Sequence, residues 1–438
     1  MKNLLIWCWV LGTAGLANAS GFGVFTQGAS GLGQANAVVA HSSGASSLYF
    51  NPALINELPG QQLELGTTLV YAEHAVELAG GGTENSKDGL NFPSTAYYTQ
   101  QLNDRWTVGL GLFFPFGLST EWKDDFAGRY LGTYGELTTL NINPAVSYRV
   151  SERLSIAGGV SALYLDATLK NNINQTAAYT ITDLTLSGGT GGALPPLSAP
   201  LNDIEQKFAG DGWGYGYNLG VLFKASERIS LGAAYRSQID VTAEGQARFA
   251  EVDPLLTSAF PQTGGQADIR LPAQATAGIA LKALPDLIVE VGVRWEDWSS
   301  TDDLTVELSS PVFGQTANVT PRDWQATWSY HIGGQYRYTP ALAFNAGYLY
   351  GQNAVPDSTF EPLVPDSDTH LFTLGAEWSR KAWTISGAVG YQYQQDRQKN
   401  NSLGDPLGSV LNGTPTGTAN GTYTTDLYLT SLSLNYRF

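Results

Sequence analysis

The sequence predicts an all-β chain, a fourteen-stranded antiparallel transmembrane β-barrel plugged by a small N-terminal hatch. Three observations carry that reading. Segment after segment alternates apolar and polar residues with period two. Short turns and long loops follow one another in strict succession between those segments. The residues ahead of the first alternating run, 20–60, do not alternate at all and are rich in Gly, Ala and Ser. Composition agrees: of 438 residues only 14% are charged, against 11% aromatic and 50 glycines, the profile of many strands and turns. A net charge of −16 without clustered Lys and Arg argues against nucleic acid as a partner.

In chain order, Lys2, the apolar run Leu4–Leu11 and Leu16-Ala17-Asn18-Ala19 read as a signal peptide over 1–19 with an Ala-x-Ala cleavage site. Cys8, the one cysteine, falls inside it, and Trp7 stands where lipoprotein processing wants a small residue, so neither lipidation nor disulfides are expected. Beyond it no apolar run reaches the ~18–20 residues of a membrane helix. Residues 20–60 form the hatch, which is too glycine-rich for a long helix and closes on a helix-initiating Asn51-Pro52-Ala53. Residues 61–438 form the barrel.

The alternating runs are clearest at Leu432, Leu434, Tyr436 and Phe438, at Trp213, Tyr215, Tyr217, Leu219, Val221 and Phe223, and at Trp324, Trp328, Tyr330, Ile332, Tyr336 and Tyr338. Their apolar faces carry aromatics at the ends, as a barrel does at its two lipid–water boundaries, whereas a soluble sandwich would bury that face. Short turns fall near 103–105, 151–153, 226–228, 284–286, 339–340 and 380–381. Longer segments fall near 76–91, 117–136, 171–212, 247–266, 299–321, 352–367 and 397–421. Six turns and seven loops make fourteen strands, with turns and both termini in the periplasm of a Gram-negative cell and loops outside. Such a barrel has a lumen of about 15–18 Å, too wide for strand side chains to fill. Residues 20–60 are placed and sized to fill it. Inward parity is assigned to Glu64, Arg149, Glu290, Arg294, Glu296, Arg337 and Glu377, since an Arg facing mid-membrane lipid costs roughly 2–4 kcal/mol. Pairing with one another and with the hatch is their expected use.

The start Ser20-Gly21-Phe22, the run Ser30-Gly31-Leu32-Gly33 and Asn51-Pro52-Ala53-Leu54 resemble the hatch of the FadL/TodX (OMPP1) family of outer-membrane transporters for long-chain fatty acids and hydrophobic compounds. The resemblance continues through Pro115-Phe116-Gly117-Leu118-Ser119-Thr120-Glu121, Phe126-Ala127-Gly128-Arg129-Tyr130, Leu140-Asn141-Ile142-Asn143-Pro144 and Pro365-Asp366-Ser367-Asp368, spanning nearly the whole mature chain. It implies capture of a hydrophobic ligand among outer loops, transfer to a lumenal pocket, hatch rearrangement, and sideways exit at a kink in the third strand. Pro115, Phe116 and Gly117 are the expected kink, because Pro115 lacks a ladder N–H and Gly117 permits a turn; an ordinary strand end is the alternative. Leu194, Leu197, Leu255, Leu256 and Phe260 are candidates for a greasy capture groove or, equally, for loop packing. Phe22, Phe25, Phe113, Arg294, Gln325 and His331 are the candidate ligand pocket.

This chain departs from the family at Trp324-Gln325-Ala326-Thr327-Trp328, where relatives often carry a Lys, and at Asp368-Thr369-His370, where they carry an Arg. A neutral aromatic or aliphatic hydrocarbon is therefore weighed beside a fatty acid, and a general porin and a surface adhesin beside a transporter. No Gly-x-Ser-x-Gly, His-Glu-x-x-His, cysteine metal motif or phosphate loop is present, so no enzyme activity, metal or cofactor is expected. The expected surroundings are outer-membrane lipid and lipopolysaccharide, and the expected state is a monomer.

Overall fold

The computed structural model describes residues 21–438 apart from Phe25, Ser43 and Asp88. The expected signal peptide and the pocket candidate Phe25 lie outside the described residues. Fourteen antiparallel strands close into a barrel. Closure is the pairing of the first strand, Gln61–Leu78, with the fourteenth, Gly421–Arg437, from Gln62↔Arg437 to Leu78↔Gly421. Between them run Ser94–Gln101 (second), Trp106–Phe113 continued by Gly117–Glu121 (third), Tyr134–Arg149, Leu154–Ile173 and Ile204–Lys224 (sixth). The seventh to tenth are each in two pieces: Ile229–Arg236 with Ile239–Ala250, Thr263–Leu271 with Gln274–Leu284, Leu287–Glu296 with Asp303–Val312, and Gln315–Pro321 with Thr327–Thr339. Leu342–Gly351, Thr369–Arg380 and Trp383–Gln394 complete the wall.

The belt that sees lipid follows the alternation. Trp213, Tyr215, Tyr217, Leu219, Val221 and Phe223 are all exposed along the sixth strand, as are Leu432, Leu434 and Phe438 on the last. Aromatic pairs close the belt at its periplasmic end, Trp106–Tyr148 at 4.5 Å and Trp383–Tyr436 at 4.4 Å, and Tyr330–Tyr350 at 6.5 Å marks the outer end.

Several expected loops are strand. The segment 299–321 holds a hairpin, Asp303–Val312 with Gln315–Pro321, turning at Phe313 and Gly314 with φ 47° and 78°. Strand also fills parts of 247–266 and 171–212, and α3 (Gln175–Leu186) occupies the latter. The physical reason is an inversion of pattern above the membrane. Along Ile239–Ala250 the outward residues are Asp240, Thr242, Glu244, Gln246 and Arg248, while Ile239, Val241, Ala243, Ala247 and Phe249 point in and are buried. Water replaces lipid outside, so a strand there looks like a polar loop to a search for apolar outward faces.

Residues 21–58 lie within the barrel in short pieces: α1 (Ala29–Gly33), α2 (Ser47–Phe50) and a 3-10 helix, Pro52–Glu57. Almost every residue of the segment is buried. Asn51 starts the 3-10 helix, its Oδ1 accepting from Ala53 N–H at 3.0 Å with Pro52 in the first turn. The wall yields space where the segment touches it: a Cβ on Gly333 would stand 2.1 Å from Gln34 O, and one on Gly232 2.0 Å from Val39 O. Gly333→Val should therefore leave the barrel folded, by its heat-modifiable electrophoretic mobility, but unseat the segment at a cost of about 1–3 kcal/mol. Small sugars should then leak in a liposome-swelling assay; Gly80→Ala, with nothing within 4 Å, should not leak.

Candidate functional site

A buried peptide N–H without a partner costs about as much as a lost hydrogen bond, and residues 21–58 bring many such groups into the lumen. Carboxylates of the wall receive them. Glu290 accepts from Val39 N–H at 2.6 Å and Ala40 N–H at 3.0 Å, and its Oε2 lies 2.7 Å from His41 Nδ1. Glu64 accepts from Ser46 N–H at 2.9 Å, and Glu377 from Ser30 Oγ at 2.5 Å. Asp366, from the loop after the eleventh strand, accepts from Gly21 N–H at 3.0 Å and Ala354 N–H at 2.7 Å. Cations hold the segment's carbonyls and acids: Arg149 donates to Asn56 O, Lys224 pairs with Glu57, and Arg236 donates to Tyr49 O at 2.7 Å while stacking on that ring. Asn51 Nδ2 clips Val39 O at 2.8 Å to Val221 O of the sixth strand at 3.0 Å. Arg337, assigned to the lumen, is instead exposed at the periplasmic rim.

The third strand breaks at Phe114–Phe116. Its ladder with the second runs from Gln101↔Thr107 to Ala96↔Leu112 and stops, while pairing with the fourth resumes at Gly117↔Thr138. Leu112 is exposed on the outward face, but Phe114, two residues on, is buried, as are all residues from Phe113 to Leu118. The chain has bent inward because its freed backbone groups find partners there. Val24 N–H donates to Pro115 O at 3.0 Å, Gly117 N–H to Phe22 O at 2.8 Å, and Thr139 Oγ1 to Phe116 O at 2.6 Å. On the second-strand side Leu90 and Phe92 stand exposed at the edge of the opening.

Two cavities lie above residues 21–58. The outer, about 400 Å³, is walled by Phe249, Phe260, Val312, Phe313 and Leu407. The inner, about 380 Å³, is walled by Leu118, Leu137, Ala167, Ile269 and Val364 and ends on Phe22. Leu169, Phe208, Leu304 and Arg322 line both, so the two are contiguous. Phe22 packs against Trp298 at 4.7 Å, Trp324 at 5.7 Å and Phe116 at 6.3 Å, so the floor of the inner cavity and the strand break share one aromatic cluster.

Of the six pocket candidates, Phe22 reaches this space. Phe113 packs on Tyr49 and Tyr97 beside the segment. Arg294 binds Glu296 at 2.9 Å, and His331 Nδ1 lies 2.9 Å from Ala35 O; both line a separate cavity of about 30 Å³ bounded by Asn36, Val39, Tyr49 and Phe50. Gln325 is exposed and Trp324, expected outward, is buried in the lumen. Residues 322–326 lie outside the strand, with Asp323 at φ 47°, and the alternation slips at Gln325 and Ala326, both exposed, just ahead of the tenth strand's lower piece. Among the groove candidates Phe260 lines the outer cavity; Leu256 and Leu194 join the loop core around Tyr179 and Phe249, and Leu197 and Leu255 are exposed. Sequence reasoning missed Phe208, Leu169 and Arg322. Leu169 continues the apolar inward parity of Leu163, Leu165 and Ala167 just short of the expected loop 171–212, whereas Phe208 fell inside that loop, in the part that is strand Ile204–Lys224. Arg322 forms a buried pair with Glu361 and sits 5.5 Å over the Trp324 ring.

Residues 10–438 match the family model described as outer membrane protein transport protein (OMPP1/FadL/TodX). The 47 kDa outer membrane protein of Pasteurella multocida is 27% identical over 83% of this chain and 85% of its own. The long-chain fatty acid transport protein of Escherichia coli K12 is 23% identical over 86% of this chain and 88% of its own. Among solved structures, a Pseudomonas aeruginosa FadL homologue superposes with TM-score 0.81 at 21% identity, covering 96% of this chain and all (100%) of that one. The Pseudomonas putida toluene transporter TodX gives 0.71 at 21%, covering 96% and 99%.

Burial pushes the Asp366 carboxyl up to about 6 from an ordinary 3.8, against the opposing pull of its two N–H donors and Arg397. Its folded pKa exceeds its unfolded one, so its contribution to stability is complete below about 3.8 and is lost as pH rises through 6. Asp366→Asn should therefore be more stable than the parent at pH 7.5, by up to about 3 kcal/mol, with the gap closing at pH 4. Urea midpoints at the two pH values test this; an equal gap at both refutes it.

Proposed function

The chain belongs to the outer membrane protein transport protein (OMPP1/FadL/TodX) family, and from that premise we propose that it carries long-chain fatty acids or similarly hydrophobic molecules passively across the outer membrane. Residues 20–60 act as the hatch, working as a monomer. The observation that carries this is the pair of contiguous apolar cavities running from the loops down to Phe22. Each falls within the ~300–1,000 Å³ of small-molecule sites, and together they form a staged path. The ligand is captured against Phe249, Phe260 and Phe313, passes the shared waist at Phe208, and rests on Phe22. Movement of residues 21–24 would unpair them from Pro115 and Gly117 and open the break beside Leu90 and Phe92, a route into the membrane interior that shields the ligand from water. A general porin is disfavoured because residues 21–58 occupy the lumen.

Two ligand classes compete for the cavities. Arg322 at the waist, with the Trp324 indole N–H lacking a partner among the described residues, favours an acidic headgroup. Glu361 already pairs with Arg322, and Glu136, Asp302 and Asp303 add negative charge to the inner cavity, which favours a neutral hydrocarbon. Binding of a fluorescent long-chain fatty acid to the refolded barrel, with toluene as competitor, separates them. Phe208→Asp should weaken either ligand by about 10–100-fold, the worth of one buried aromatic at the waist. Arg322→Gln should weaken the fatty acid alone if the carboxylate is read there, and neither if hydrocarbon is the cargo. Gln325→Ala should change nothing. No saturable binding by the parent protein refutes the proposal.

A further inference from the structure

The ladder is also interrupted between the eighth and ninth strands. Their ladder runs up to Gln274↔Glu296 and then stops, resuming only at Ala267↔Val306. In between, residues 268–273 face residues 297–305. The contacts across are sparse: Asp297 N–H to Ala273 O at 2.9 Å, Arg270 Nη1 to Ser300 O at 3.4 Å, and Thr301 Oγ1 to Arg270 O at 3.5 Å. The surplus length of the ninth strand turns inward as a short 3-10 turn, Trp298–Ser300, and delivers the fully buried Trp298 onto Phe22.

The inner cavity reaches into this break. Asp268 and Arg270 line it from one edge, Thr301, Asp302 and Thr305 from the other. Its height is marked by the outward residues. Just below stand Tyr235, Trp295 and the exposed Trp328; at the break and above it the outward residues are Asp240, Asp268, Arg270 and Asp303, all exposed. That change from aromatic to charged is where hydrocarbon gives way to headgroups. Asp240, Asp268, Asp302 and Asp303 outnumber Arg270 around the rim, so the local field repels a carboxylate and is indifferent to an uncharged molecule.

We infer that this break is a side portal, through which neutral hydrophobic molecules already dissolved in the outer leaflet reach the inner cavity without passing the outer one. The inference rests on the reading of the cavities as a hydrophobic-ligand path. Anionic amphiphiles are left to the outer cavity, so one barrel collects two classes of cargo by two doors.

Continuing the register of Ala267↔Val306 sets Asp268 opposite Thr305, which makes the portal closable. In Asp268→Cys/Thr305→Cys, bridged by a short bismaleimide, the outer cavity and the hatch are untouched. The protein is reconstituted in vesicles carrying a fluorescent polycyclic hydrocarbon in the leaflet, and inner-cavity loading is followed by quenching of tryptophan emission; equilibrium binding is measured alongside. Bridging should slow hydrocarbon loading by about five-fold or more relative to the same double variant left unbridged, and the equilibrium affinity of each form, measured alongside, separates a slower path from a weaker site. A fluorescent fatty acid supplied from water should load at the same rate bridged or not. In a second variant, Asp268→Asn/Asp302→Asn/Asp303→Asn, leaflet-dissolved fatty acid should load faster by about five-fold as the repulsion is removed. Equal hydrocarbon loading rates in bridged and unbridged protein overturn the portal while leaving the cavities' function intact. Absence of hydrocarbon binding at equilibrium in the unbridged protein also overturns the portal, and absence of fatty-acid binding with it overturns the ligand reading beneath.

Discussion

Everything in this molecule follows from a mismatch of width. Fourteen strands enclose a lumen that their own side chains cannot fill, and the chain solves this by folding residues 21–58 into it. A non-strand segment brings unpaired peptide groups into a space poor in water, and those groups must be satisfied from the wall. Glu290 shows the solution most plainly: one fully buried carboxylate takes two consecutive backbone N–H groups and a histidine. The same logic puts Glu64 under Ser46, Glu377 under Ser30 and Asp366 under Gly21. Glycines such as Gly232 and Gly333 let the two backbones approach closely enough for these bonds to form.

The distribution of these anchors shows which part of the segment is held hardest. From Ala29 to Glu57 the segment meets acids, arginines, Asn51 and glycine seats in succession. From Gly21 to Gln27 it is held by backbone bonds to Pro115 and Gly117, by Asp366, by Tyr97 donating to Gln27 O at 2.9 Å and by Gln27 donating to Phe114 O at 2.8 Å. The front of the segment therefore shares its partners with the third-strand break, and displacing one loosens the other. A two-state element needs this kind of mutual dependence.

How much of this was legible in the sequence depended on which solvent each face meets. Where lipid lies outside, parity is enforced by energies of a few kcal/mol per residue, and the runs at Trp213–Phe223 and Leu432–Phe438 could be read directly. Pro115 announced its own break, since proline cannot donate to a ladder. Above the membrane both sides of the rule change sign, so Asp303–Val312 passed for a loop. The direction of Glu290 followed from its charge, but its partners Val39 and Ala40 lie far away in the chain, and nothing local marks them. Gln325 failed for the opposite reason: its neighbours alternate well in sequence, yet residues 322–326 are not strand, and the parity slips where Gln325 and Ala326 are both exposed, leaving Trp324 buried. Arg322 stayed hidden because its role comes from where the loop 352–368 delivers Glu361.

Phe22 is where two departures from regular barrel geometry meet. The third strand gives up its ladder with the second and bends Phe116 inward; the ninth gives up part of its ladder with the eighth and bends Trp298 inward. Both rings touch Phe22, and each other at 6.1 Å. Broken ladders cost hydrogen bonds, and here aromatic burial and the bonds to the N-terminal segment offset that cost. The floor of the inner cavity is thus made by the same residues that pack at both breaks. On the proposed path a ligand would rest on Phe22, in contact with the residues of both breaks, so that its arrival would need no signal over a distance to be felt at either one.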